Sequence, residues 1–288
     1  MIDVETIIAA VDTLKPVSHV ASKVLEISCN PNSSLAEIVD VIKYDPATTA
    51  SILKICNASY FGLKRKISSI KQAVTFLGLE KLVNMVVMKV SAENFKAAQK
   101  GYDLKEGELW RYSVASALIA QDLAEKKHCK NAPLIFTSAL LKDIGKLVLH
   151  IYVRDAFDNI MTLVQRKNFT FVEAEKEIIG IDHAELGARI AEKWHFEQRM
   201  VEIIRNHHDP TASPPEDLTI PIVYLADSIC MMIGVSGSSD GLAYRYHQNV
   251  LDLLRFSDTD LQHTIANFWA KIGSVDELIY LSRGEVEV

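Results

Sequence analysis

Asp143 stands in an apolar run, Ser138-Ala139-Leu140-Leu141-Lys142-Asp143-Ile144-Gly145-Lys146-Leu147. A carboxylate in such a setting needs a partner. Downstream come Asp182-His183-Ala184-Glu185-Leu186-Gly187, then Arg205-Asn206-His207-His208-Asp209, then Leu225-Ala226-Asp227-Ser228, again on apolar backgrounds. One acid, three histidines and a final acid make an internal polar site. In a helical protein such a site is either a metal cluster or what remains of one. The other histidines, His19, His128, His150, His195, His247 and His263, show no ligation spacing. The sequence has no Gly-rich phosphate loop, no GxSxG and no Cys/His nucleophile arrangement.

Helices must position these groups, because no stretch alternates with period two for long enough to argue a strand. The expected fold class is all-α, a multi-helical bundle with an N-terminal helical subdomain. Pro16 suits a first helical position, and Ser34 and Asp45 read as caps, the latter followed by Pro46 at the first position. Ser69 caps the next helix, Gly78 interrupts it, and Leu79 to Val90 form a strongly apolar one. A polar segment at 93–108 is the boundary candidate. It separates an N-terminal half, 1–100, from a second half, 101–235, with 236–288 as a helical extension. In the second half a long helix runs from Trp110 to about Lys126, and Pro133 opens the helix expected to carry Asp143. Thr170 and Glu173 form a capping box. His183–Trp194, Gln198–His207 and Ile220–Ile233 read as the next three helices, and 236–241 as a loop. Ser257 caps a C-terminal helix bearing Leu261, Ile265, Phe268, Trp269 and Ile272, which is expected to pack back on the body.

The 288 residues are 49% hydrophobic, enough for a sizeable core, and no stretch approaches a membrane span. The first residues, Met1-Ile2-Asp3-Val4-Glu5, are acidic where a signal peptide would be basic. A net charge of −6 argues against general affinity for nucleic acid or anionic lipid. Cys29, Cys56, Cys129 and Cys230 form no CxxC, which fits a reduced, cytoplasmic protein.

Asp45-Pro46, Asn57, Phe61-Gly62, Ile67-Ser68-Ser69-Ile70, Ala73 and Leu77-Gly78 resemble the first half of an HDOD domain. Trp110-Arg111-Tyr112-Ser113, Leu140 to Lys146, His183 with Gly187, Trp194 and His207-His208 continue that resemblance in order, to about Ile233. The family is similar to the HD metal-dependent phosphohydrolases, above all to the HD-GYP branch that cleaves cyclic dinucleotides. The resemblance implies a first metal position held by His, His-Asp and a distant Asp. Here Tyr112 replaces the first histidine and Lys142 the second, so only Asp143 and Asp227 remain. It also implies a second metal position at Asp143, His183, His207 and His208, all present. Three imidazoles and a carboxylate suit one Fe, Zn, Mn or Ni ion. The alternative is histidines bonded to helix ends and to acids such as Asp182, Asp209 and Asp227. Lys142 is expected to supply the missing metal's positive charge to Asp143 and Asp227, or else to extend its amine to solvent. The resemblance implies a bacterial, cytoplasmic signalling module without catalytic residues, acting on a signalling protein partner or a ligand. Two competing readings stand beside it. One is a metal-dependent phosphohydrolase or cyclic-dinucleotide phosphodiesterase. The other is a sensor that binds a nucleotide or phosphate without cleaving it.

Overall fold

The structure, a computed structural model, describes residues 4–14, 23–24, 27, 35–43, 46–63, 65–129, 131–214, 216–235, 238, 241, 247 and 249–284. The helix start at Pro16, the caps at Ser34 and Asp45 and most of the loop at 236–241 lie outside the described residues. The protein is all-α: among the described residues the one β-type pairing is an isolated bridge between Gln99 and Leu104.

The first set of helices is α1 (Val4–Ala9), α2 (Leu35–Lys43), α3 (Pro46–Cys56), α4 (Ile70–Leu77) and α5 (Leu79–Ser91). The second is α6 (Glu108–Lys126), α7 (Ala132–Leu141), α8 (Lys146–Lys167), α9 (Phe171–Ile179), α10 (His183–Lys193), α11 (Gln198–Arg205) and α12 (Thr219–Met232). The chain closes with α13 (Val250–Leu254), α14 (Asp258–Ala270) and α15 (Ile272–Ser282). Helices α6, α7 and α12 form the centre and pack on one another. Helix α12 is buried from Thr219 to Cys230 and α7 along nearly its whole length, as expected of helices that are apolar all round. The caps at Ser69 and Ser257 and the capping box at Thr170 form as the sequence predicts.

Helix α5 lies against α7, so the two sets share one continuous core. The polar segment between them is packed as well: Phe95, Tyr102 and Leu104 are buried. Gly101 is pressed against α8, where a Cβ would overlap the carbonyl oxygen of His150. Asn57 closes the loop after α3. Its amide nitrogen donates to Leu53 O (2.7 Å) and Ile67 O (2.9 Å), and its oxygen accepts from Ile67 N (2.8 Å).

Three expectations need correction. The run from Ser138 to Leu147 is two helices: α7 stops at Leu141, 142–145 form a tight turn, and α8 starts at Lys146. The turn is closed by Ile144 N donating to Leu141 O (3.0 Å) and Lys146 N donating to Asp143 O (2.9 Å). Helix α11 ends at Arg205, not at His207, because the Asn206 side chain donates to Glu202 O (2.9 Å) and takes up a terminal carbonyl. The C-terminal helix is broken at Lys271 into α14 and α15. Phe268 is buried, Trp269 is 45% exposed, and Val275, Leu278 and Ile279 of α15 do the packing on the body.

Candidate metal centre

Each polar residue sits where a helix ends, begins or crosses the core. Asp143 occupies the turn between α7 and α8. His183 is the first residue of α10, behind Asp182, which caps that helix by accepting from Glu185 N (2.8 Å). His207 and His208 lie in the turn after α11. Asp227 sits inside α12 and Tyr112 inside α6. Gly145 brings the first two together: a Cβ there would overlap His183 O and come within 2.8 Å of Gly187 N. Only glycine lets the α7–α8 turn approach α10 this closely.

Around Lys142 the site is ionic. The amine of Lys142, fully buried, pairs with Asp143 Oδ2 and lies 2.8 Å from Asp227 Oδ1. Tyr112 donates to the same Asp227 Oδ1 (2.8 Å), and its ring centroid lies 4.5 Å from the ammonium, a cation–π contact. Burial alone would discharge Lys142, but the two carboxylates outweigh it and raise its pKa. Asp143 shows the mirror effect: Lys142 and Lys146 overcome its burial and hold its carboxyl well below the usual range. Burial, with Asp143 adding to it, lifts Asp227 above that range. Lys142 therefore stands between the two acids and does not reach solvent.

Around His183 the site is a cluster of imidazoles. The ligand atoms of His183, His207 and His208 lie within 4.8 Å of one another. His183 Nε2 is 3.6 Å from Asp143 Oδ1, and His207 Nε2 is 4.0 Å from it. Glu175 Oε2 holds both His183 Nδ1 (2.7 Å) and the His183 backbone N–H (3.1 Å). A carboxylate behind one ring nitrogen fixes the tautomer and turns the other nitrogen to a metal. Tyr102 donates to Glu175 Oε1 (2.6 Å) and completes the support. His207 Nδ1 bonds Ile204 O (2.7 Å), which leaves its Nε2 as the lone-pair nitrogen. That Nε2 is buried and has no hydrogen-bond partner. Burial brings His207 down to about 3 and His208 well below the ordinary histidine value, so both are neutral near pH 7. His183 differs, since its burial is outweighed by Glu175, which raises its pKa, but neutral His207 and His208, converging nitrogens and one orphaned lone pair fit a metal ion. Asp182 and Asp209 take no part: Asp182 caps α10 and Asp209 accepts from Thr211.

All seven residues singled out from sequence are thus together, in two subsites sharing Asp143. Two further residues belong with them. Lys146 Nζ is 2.8 Å from Asp143 Oδ1, the oxygen that faces the histidines. Its signal was the three-residue spacing from Asp143 at a helix start. The other is Glu175, fully buried. Its signal was a charge at the middle of the Phe171, Glu175, Ile179 stripe, the buried face of α9.

The HDOD domain matches residues 14–210, more than half of the chain. The chain belongs to the HDOD domain family. This HDOD chain is 26% identical over 211 residues to an uncharacterized protein of Treponema pallidum (strain Nichols). The match covers 71% of the present chain and 40% of the Treponema protein. Among solved structures it resembles an HDOD domain protein of unknown function from Geobacter sulfurreducens, with a TM-score of 0.75 and 23% identity. That likeness covers 96% of this chain and 98% of the other. A protein of Marinobacter aquaeolei VT8, described as a candidate signal transduction protein, gives a TM-score of 0.74 at 19% identity, over 94% of this chain and 60% of the other. These likenesses establish the fold of the HDOD chain. No helix among its described residues is long and apolar enough to cross a membrane.

Proposed function

We propose that this HDOD chain is a regulatory module that works by binding and does not turn over phosphate esters. The observation that carries the reading is the Lys142 amine, buried between Asp143 and Asp227. In the HD phosphohydrolases that the family resembles, a metal ion is expected at this position. A metal would bind water and lower its pKa to make a nucleophile. An ammonium offers no open coordination position. It places one positive charge between the two acids, and Tyr112 donates to the Asp227 oxygen that Lys142 also meets, so the subsite keeps its shape without the chemistry. The likeness to a structure described as a candidate signal transduction protein supports a signalling role with a protein partner.

His183, His207 and His208 would hold one Fe, Zn, Mn or Ni ion, with Asp143 as the fourth candidate ligand. When bound, such an ion supplies Lewis acidity and a charge that could receive a phosphate or nucleotide. In this chain Glu175 orients His183, Ile204 O orients His207, and Lys146 occupies the Asp143 oxygen that faces the cluster. Asp143 would therefore share that oxygen between an ion and Lys146. The orphaned His207 Nε2 favours a second reading, a phosphohydrolase working from this one position.

Metal analysis of purified protein followed by a general phosphodiesterase assay separates the two. The regulatory reading expects at most one ion per chain and no multiple turnover. Turnover at about 1 s⁻¹ or faster, within the ordinary enzyme range, and abolished by Asp143→Ala, would overturn it.

A further inference from the structure

The boundary segment sends one side chain into the metal centre. Tyr102 is fully buried and donates to Glu175 Oε1 (2.6 Å), while Glu175 Oε2 holds His183 Nδ1. The same ring meets the His183 ring edge-on at 6.1 Å, and its centroid lies 5.3 Å from the Lys146 ammonium. Lys146 in turn pairs with Asp143 Oδ1 (2.8 Å). One tyrosine thus touches both arms of the site, the histidines through Glu175 and the shared acid through Lys146.

Tyr102 belongs to a small closed loop, 99–104. Gln99 N donates to Leu104 O (3.0 Å), and Gln99 O accepts from Tyr102 N (2.9 Å) and Leu104 N (3.2 Å). Asp103, at φ +55°, is in the left-handed region that a residue with a side chain occupies at a cost. On the inner side Gly101 is pressed against α8, where a Cβ would overlap His150 O. On the outer side Lys100 and Asp103 are exposed and line an open surface cleft with Arg154 and Asp158. A strained turn closed by three backbone hydrogen bonds opens locally more readily than the helical core. Its inner face is at the buried site and its outer face is at the surface.

We infer that a metal ion on the histidine cluster locks the loop 99–104 closed, so that the boundary segment presents the state of the buried site at the protein surface. The inference rests on the metal-centre reading and names what binding there regulates. A metal taken by His183 Nε2 leaves the ring proton on Nδ1, which donates to Glu175. Glu175 is then held at Oε2 by His183 and at Oε1 by Tyr102. Opening the loop withdraws Tyr102 and loosens Glu175, and with it His183. Loop opening and metal binding therefore oppose each other, and each changes the other by the same factor.

The test follows amide hydrogen exchange in the full chain, with and without Zn²⁺ at about a hundredfold above the Kd found by calorimetry. Amides whose opening breaks the hold on the ion slow by up to about 100-fold, the ratio 1 + [Zn²⁺]/Kd. Gln99, Tyr102 and Leu104 are expected to slow by about tenfold or more. Helix α4, which packs on α2, α3 and α5, is expected to exchange as before. Tyr102→Phe keeps the ring and removes the donor to Glu175. It weakens zinc binding by about threefold to tenfold, the worth of one net hydrogen bond, and reduces the slowing at 99–104 by that same factor. Should Tyr102→Phe not fold, the unaltered chain decides alone. A chain that takes up no zinc fails the metal-centre reading and this inference with it. A chain that takes up zinc while 99–104 exchanges as before fails this inference alone. Equal slowing in α4, or a Tyr102→Phe chain that exchanges faster but binds zinc unchanged, also overturns it, since Tyr102 is then structural only.

Discussion

An ammonium taken out of water is tolerated where carboxylates surround it, and Lys142 has one on either side. Lys142→Met keeps the bulk and removes the charge. Asp143 retains Lys146, but Asp227 is left with only the Tyr112 hydroxyl among the side chains shown bonding it. Breaking a buried pair of this kind costs about 3–5 kcal/mol, and urea denaturation at neutral pH should show a loss of that size. An unchanged midpoint would mean that the charge is not needed. The supporting carboxylate gives a second prediction. Glu175→Gln removes the negative charge behind His183 Nδ1, and the loss of such an outer partner weakens metal affinity by about 10–100-fold. A zinc competition titration reads that change, while unaltered affinity would separate Glu175 from metal binding. At this scale the sequence was largely legible. Asp143, the three histidines and Asp227 were recognised because their types are rare on apolar helices, and Tyr112 and Lys142 through the family resemblance. Lys146 and Glu175 escaped notice because a charge at a helix start or on a short helix ordinarily faces water.

Helix α7 ends inside an apolar run that reads as one helix, in which Asp143 and Gly145 are weak helix formers but neither by itself marks a stop. Gly145 has an ordinary right-handed φ of −61°. What matters is the backbone of His183 and Gly187 pressed against it, a contact that only the folded arrangement supplies. The same holds for His207, which the helical reading places at the end of α11 and the structure places in the turn beyond it. Caps were legible at Ser69, Thr170 and Ser257 because their side chains bond backbone three residues away. Two glycines give the contrasting test. Gly145→Ala drives a methyl into His183 O and must part the α7–α8 turn from α10, with a large loss of stability and of zinc binding. Gly273→Ala, in α15, meets nothing within 4 Å and should be neutral or stabilise by up to about 1 kcal/mol, since alanine is the better helix former. Thermal unfolding of the two variants side by side checks this, and equal effects would sink the close-packing argument.

Composition and helical periodicity predicted an all-α chain in two halves, but not how tightly the halves are joined. The polar character of 93–108 reads as the boundary between the halves, and Phe95, Tyr102 and Leu104 anchor that segment in the core. Helix α15 then packs on α3, α5 and α6 together. Its Glu277 accepts from Ser59 N (3.0 Å), in the loop after α3, and its Asp276 pairs with Arg111 of α6 (2.9 Å). Both ion-pair partners at the second contact are well exposed, so that pair adds little. The buried link is Trp110 Nε1 donating to Ser282 Oγ (2.9 Å), with both residues fully buried. A continuous core crossed by such links should unfold as one unit. Tryptophan fluorescence, to which Trp110, Trp194 and Trp269 all contribute, and far-ultraviolet circular dichroism are therefore expected to give coincident urea transitions. Ser282→Ala leaves the indole N–H buried without an acceptor, which costs about 1–3 kcal/mol. That loss should move both probes together, because the link is part of the shared core. If the fluorescence transition alone shifts, or if the two transitions are already separate in the unaltered chain, the halves fold independently and α15 does not join them.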